Sequence, residues 1–301
     1  MKVLITGSKG QLGKTLLDLS DKRMQILTPN RFEFNLEDKQ SMVDYFEFHK
    51  PNWSINCAAY TAVDEAEENI NLAKSINSTG AEAFAKITKS YGGKFLQIST
   101  DFDIGGRKNE PYKPLEKGNP ISEYGLTKYQ AENQILKVYA HSNQGIILRT
   151  SWLVSPYGKN FLLTILKLLK ERETLRVVND QRGSLTSCNS LADTCWKIIS
   201  RYSNTNLCNN LPNILHWSDS GVTSWFEIAC KINTFSAKIG LIKKEKEIIP
   251  ISSSEFPSKA KRPMFSSLEC SETTKILNKE QPKWEESIQD ILLTIKNSTN
   301  V

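Results

Sequence analysis

The stretch Val3-Leu4-Ile5-Thr6-Gly7-Ser8-Lys9-Gly10-Gln11-Leu12-Gly13 decides the fold. Its apolar opening reads as a buried strand, and the amphipathic Gln11–Leu19 behind it reads as a helix. Three glycines fill the junction. One allows the tight strand-to-helix turn, one lets backbone approach a pyrophosphate, and one lets helix pack on sheet. The phosphates would then meet free N–H groups at the helix N-terminus, where the helix dipole favours negative charge. Glycines also cluster in ordinary turns. The position between strand and helix is what makes this triplet the opening of a dinucleotide-binding βαβ unit.

Outward from this loop, short apolar strands alternate with helical stretches. Strands are expected at Lys2–Thr6, Gln25–Leu27, Trp53–Cys57, Lys94–Ser99 and Gly145–Arg149, with helices near Gln11–Leu19, Lys39–His49, Ile70–Ser90 and Tyr124–Tyr139. Such alternation predicts an α/β fold: a Rossmann-type, doubly wound parallel sheet with right-handed crossovers. Past residue 150 the pattern loosens into a smaller C-terminal α/β region for substrate. The expected division gives 1–152, with 188–221 returning to it, to an NAD(P)-binding domain, and 153–187 with 222–301 to substrate binding.

Composition narrows the class. The 301 residues are 39% hydrophobic and 24% charged, ordinary for a soluble protein, and the net charge of +6 is mild. No basic block interleaved with aromatics suggests nucleic acid, and no apolar run approaches a membrane span. The early first strand leaves no room for a signal peptide, so a cytoplasmic protein is expected. Six scattered cysteines (57, 188, 195, 208, 230, 270) are expected to be reduced thiols, and three histidines without paired spacing predict no metal site.

Tyr124-Gly125-Leu126-Thr127-Lys128 carries the chemistry. Residues four apart share a helix face, so an ammonium would stand near a phenol and stabilise its phenolate. Lowering a phenol from ~10 to ~7 needs about 4 kcal/mol of differential stabilisation. None of the other eight tyrosines has a lysine four residues on. Ser99-Thr100-Asp101 ends the central strand, where such folds place their ligand, and either hydroxyl could orient a substrate carbonyl. Asn56-Cys57-Ala58-Ala59-Tyr60-Thr61 ends a neighbouring strand in small residues that let a cofactor lie close. Trp152 either walls a sugar pocket or is a core aromatic.

Together these segments resemble the dTDP-4-dehydrorhamnose reductase family of the extended short-chain dehydrogenase/reductases. The resemblance runs nearly end to end. It takes in Gly7 to Gly13, Asn56 to Glu67, Ile98 to Asp101, Tyr124 to Lys128, Arg149 to Trp152, Asn160-Phe161, Asp180 to Ser184, Thr223-Ser224-Trp225 and Lys261-Arg262-Pro263. It implies NAD(P)H-dependent reduction of the 4-keto group of dTDP-4-dehydro-L-rhamnose, as the last step to dTDP-L-rhamnose for lipopolysaccharide or another surface glycan. Carried over, Thr100, Tyr124 and Lys128 form the catalytic set, with Tyr124 the proton donor. Cofactor contacts fall on Gly7, Gly10, Gln11, Leu12, Gly13, Arg31, Asn35, Leu36, Ala58, Ala59, Tyr60, Tyr124 and Lys128. Val63, Asp101, Trp152 and Asn160 fall in the substrate pocket, and Arg182 and Arg262 suit the diphosphate.

The chain departs from the family at several positions. Phe102-Asp103-Ile104-Gly105-Gly106 stands where Tyr-Val-Phe-Asp-Gly is usual, which removes a phenol near the sugar. Asn35 replaces an aspartate at the adenine end, and Leu185 replaces a proline, which would loosen its loop. Thr15 stands where some relatives carry a metal-binding glutamate at a dimer contact, so no metal is expected; the chain is expected to be a monomer or homodimer. No acid follows Leu27 until Glu33, and Arg31 comes first, so NADPH is expected, with NADH as the alternative. Two other readings stand: a non-catalytic dinucleotide-binding regulatory subunit like that of methionine adenosyltransferase, and a related sugar-nucleotide reductase or epimerase.

Overall fold

β1 (Lys2–Thr6), β2 (Gln25–Leu27), β3 (Trp53–Asn56), β4 (Lys94–Thr100) and β5 (Gly145–Thr150) form successive parallel strands in a computed structural model that describes residues 1–106, 108–140, 142–203 and 211–299. β1, β3 and β5 are almost wholly buried, as parallel strands with helices on both faces must be. The crossovers are α1 (Gln11–Asp18), α2 (Lys39–His49), α3 (Val63–Ala66), α4 (Ile70–Lys74), α5 (Ala81–Ser90) and α6 (Glu123–Val138). A π-type turn, Ser75–Gly80, joins α4 to α5.

The second half adds β6 (Leu153–Val154), α7 (Phe161–Glu171), β7 (Thr174–Val178), β8 (Arg182–Gly183), β9 (Thr186–Ser187) and α8 (Cys188–Ser203). β10 (Ile214–His216), β11 (Thr223–Ser224), α9 (Trp225–Lys238), β12 (Glu247–Ile251), α10 (Ser271–Leu277) and α11 (Trp284–Thr299) complete it. β10 pairs with β5, giving a six-stranded parallel sheet ordered β2-β1-β3-β4-β5-β10. The chain first steps from β1 to β2 and then crosses back to β3, so the order reverses between β1 and β3. Ligands of such sheets bind in the crevice above that reversal.

Two apolar layers cover the sheet. α8 packs with α1 through Leu191, Cys195 and Ile198 against Leu12, Leu16 and Ile5, and α2, α5 and α6 cover the other face through Phe46, Phe84 and Ile135. A third core lies among α7, α9 and α11, built on Leu162, Leu166, Ile228, Ile232 and Leu292. Leu185 is fully buried in this third core, and its carbonyl oxygen accepts the Asp219 N–H at 2.9 Å. Leu185 thus anchors its loop to this core through apolar contacts. Among the described residues no helix is long and apolar enough to cross a membrane. Cys57, Cys188, Cys195, Cys230 and Cys270 are free thiols, and Cys208 lies outside the described residues.

Candidate active site

The glycine loop has the geometry its spacing demands. Gly7 adopts φ +65°, and an added Cβ would fall 2.9 Å from the Ala58 nitrogen. At Gly13 a Cβ would fall 2.3 Å from the Gly7 carbonyl oxygen, so loop and helix touch without room for a methyl group. Gly10 is the N-cap of α1 with no side-chain cap, and the first turn carries no acid. Its N–H groups and the helix dipole are thus left for an anion.

Two cavities share this loop. The first is lined by Gly7, Lys9, Arg31, Asn35, Leu36 and Ala58, among others. The second, about 750 Å³, runs from Gly10, Gln11, Leu12 and Gly13 past Ala58, Ala59 and Val63. It continues to Ser99, Thr100, Asp101, Phe102, Tyr124, Lys128, Trp152 and Trp225. The residues expected to act chemically therefore share one cavity with the phosphate loop. The uncapped N–H groups, the Cβ-free cradle and Ser99 Oγ, buried without a hydrogen-bond partner, fit a dinucleotide here.

Thr100 ends β4 and turns into a short 3-10 turn, its Oγ1 accepting the Phe102 N–H at 3.2 Å. α6 starts at Ser122, whose Oγ accepts the Gly125 N–H, and presents Tyr124 one turn before Lys128. A Cβ at Gly125 would fall 2.1 Å from the Phe102 carbonyl oxygen, so only glycine lets α6 come this close to the turn. The Phe102 ring packs edge-on to Tyr124, with centroids 5.6 Å apart.

The phenol is not activated as expected. Burial pushes Tyr124 up to about 12, helped by the Asp101 and Asp103 charges, while hydrogen bonding with Thr100 pulls it down. Lys128 does not offset this. Its ammonium donates to the Ile98 carbonyl oxygen at 2.7 Å, and burial pushes it down to about 8. Helical spacing put the two residues on one face, but the Ile98 carbonyl within β4 is what the ammonium bonds. Asp101 is likewise raised, to about 6, chiefly by desolvation.

Behind the catalytic face lies a buried ion cluster that the sequence reading missed. Arg149 from β5 donates to both Glu132 oxygens and stands 2.7 Å from Asp103 Oδ2. Its Nη1 also donates to the Pro114 carbonyl and lies 3.3 Å from His216 Nε2. Desolvation and the neighbouring Arg149 cation push His216 down to about 3. Glu132 stands four residues past Lys128, a spacing that could have flagged it; Asp103 and His216 gave no local signal.

The remaining site residues are spread more widely. Tyr60 is pinned by Asn77, whose Oδ1 accepts the Tyr60 N–H at 2.7 Å, and its phenol donates to Glu65. Asn160 caps α7 by accepting the Leu163 N–H and donates to Gln11 Oε1, tying that helix to the glycine loop. Trp152 sits at φ +45°, an unusual backbone for a bulky residue, and stacks on Trp225 with centroids 3.8 Å apart. Arg182 pairs with Glu227 at 3.0 Å. Arg262 pairs with Asp64 at 2.7 Å and lines a third cavity with Phe161, Lys259, Lys261 and Trp225. Among the described residues no group of three or more acids, histidines or cysteines is arranged to hold a metal.

A family model described as the RmlD substrate binding domain matches residues 1–297. The chain belongs to this family. Within the RmlD family, a dTDP-4-dehydrorhamnose reductase of Sinorhizobium fredii is 32% identical over 97% of both chains. The solved dTDP-4-dehydrorhamnose reductase of Clostridium acetobutylicum superposes with a TM-score of 0.88 at 32% identity, covering 98% of this chain and 100% of that one. The Bacillus anthracis reductase, solved in complex with NADP, gives 0.88 at 33% identity over 97% and 99%.

Proposed function

We propose that this chain reduces the 4-keto group of dTDP-4-dehydro-L-rhamnose to give dTDP-L-rhamnose, using NADPH, with NADH as the alternative. The observation that carries this reading is the convergence of Thr100, Tyr124 and Lys128 on the cavity that also holds the glycine loop. Family membership over 1–297 and the reductases that match the whole chain support it.

The bound nicotinamide supplies hydride; the protein supplies orientation and the proton. Thr100 hydrogen-bonds the substrate oxygen and Tyr124 donates the proton to it, completing the hydroxyl. A phenol pushed to about 12 stays protonated across the neutral range, which suits a donor. Lys128, now bonded to the Ile98 carbonyl, would hold the nicotinamide ribose. Trp152 and Trp225, with Val63 and Asp101, wall the sugar. The nucleoside diphosphate extends into the third cavity, which the second meets at Trp225 and where Arg262, Lys259 and Lys261 supply positive charge. Arg182 would have to leave Glu227 to reach the diphosphate. Residues 1–152 with 188–221 would hold the dinucleotide, and the remainder the sugar nucleotide, in a cytoplasmic enzyme.

The test is loss of NADPH or NADH absorbance with purified protein and freshly generated dTDP-4-dehydro-L-rhamnose. Turnover that disappears in Tyr124→Phe supports the reading. Dinucleotide binding without turnover in the wild type overturns it in favour of a binding role.

A further inference from the structure

The first cavity holds an ion pair at its rim whose place suggests a second task. Three acids follow β2 closely, and two are committed to backbone. Glu33 accepts the Asn30 N–H at 2.8 Å, and Asp38 caps α2 by accepting the Gln40 and Ser41 N–H groups. Glu37 differs. Its Oε2 lies 2.5 Å from Arg31 Nη2, and both residues line the cavity, with Lys9 of the glycine loop as a further cation. The Arg31 side chain is 71% exposed and that of Glu37 27%, so the guanidinium is free to turn while the carboxylate is more fixed.

We propose that Glu37 sets the balance between NADP(H) and NAD(H) by competing with a ribose 2′-phosphate for Arg31. The inference rests on the dinucleotide reading of this cavity. A guanidinium recognises phosphate through its paired N–H groups, and Glu37 already occupies one of those nitrogens. A 2′-phosphate at this rim must share Arg31 with a like charge or displace it. A ribose 2′-hydroxyl meets the opposite situation, because a carboxylate beyond the second strand is the acceptor it needs. The pair is thus an exchange site: Arg31 serves the phosphate, Glu37 serves the hydroxyl, and each weakens the other's preference. An exposed pair of this kind is weak enough to break on binding.

The experiment is direct titration of the full chain with NADP⁺, NAD⁺ and adenosine 2′,5′-bisphosphate, for wild type, Glu37→Gln and Arg31→Leu. Both substitutions lie on the surface, away from Thr100, Tyr124 and Lys128. Glu37→Gln is expected to tighten NADP⁺ and the bisphosphate about threefold to tenfold and to leave NAD⁺ unchanged or weaker. Arg31→Leu is expected to weaken the two phosphorylated ligands alone. An unchanged ratio in Glu37→Gln, or weaker NADP⁺ binding, overturns the proposal and makes Glu37 a support that positions Arg31. Wild-type protein that binds none of the three ligands overturns the dinucleotide reading itself.

Discussion

Lys128 and Ile98 are joined by a 2.7 Å hydrogen bond from the buried ammonium to a carbonyl of β4, at the cavity that Lys128 and Tyr124 both line. The bond ties helix α6 to strand β4 two residues before Thr100. It also gives the ammonium an interim partner, without which a buried cation would be costly.

Tyr124→Phe should lower kcat by about two to four orders of magnitude, the range for losing a positioned proton donor. Its dinucleotide affinity should stay within about threefold of wild type, because the glycine loop is untouched. Steady-state rates together with a binding titration check both halves.

The pH profile follows from Lys128. Burial lowers it to about 8, so the ammonium is present below that pH and lost above it. The kcat/KM for NADPH, which reports the free enzyme, should therefore fall as pH rises through about 8. Lys128→Arg should move that limb upward. The Tyr124 phenol, near 12, should contribute no limb around neutrality.

Arg149 is the shared partner of Asp103 and Glu132 in a buried cluster. Arg149→Met leaves two buried carboxylates without their cation, and should destabilise the fold by about 3–5 kcal/mol. Denaturant unfolding measures this directly. Asp103→Val, which removes one of the two acids, should be far milder.

Asp219 gives a stability test with a definite sign. Its buried carboxyl is raised from 3.8 to about 6, with Oδ1 lacking a hydrogen-bond partner and Oδ2 accepting the Ser187 N–H. A folded-state value above the unfolded one means the folded chain binds more protons between those values. Stability is therefore lost as pH rises from about 4 through 6. Thermal unfolding of Asp219→Asn against wild type should shift in favour of the variant as pH rises from ~4 to ~6 and stay level above that. A constant difference would contradict the assignment.

Gly13→Ala should abolish dinucleotide binding and lower stability, since its Cβ would fall 2.3 Å from the Gly7 carbonyl oxygen. Gly92→Ala is the informative contrast. Gly92 also has positive φ but an open surrounding, so it should cost about 1 kcal/mol and leave binding intact.

Much of this protein was determined by local sequence alone. The run Val3–Gly13 requires a strand, a glycine turn and a helix in that order, because each step is fixed by side-chain size and backbone freedom within a few residues. Alternating apolar strands and amphipathic helices then require a parallel sheet, and helical spacing places Tyr124 and Lys128 on one face. What tertiary structure decided are the partners. That Lys128 bonds Ile98, that Arg149 gathers Asp103, Glu132 and His216, and that Trp152 stacks on Trp225 depends on segments far apart in the chain. The same holds for ionisation: burial, which pushes the Tyr124 phenol up and the Lys128 ammonium down, arises only when the sheet, α6 and the turn after β4 close together. A sequence records which groups can carry charge; how far each is removed from water is settled only by the packed fold.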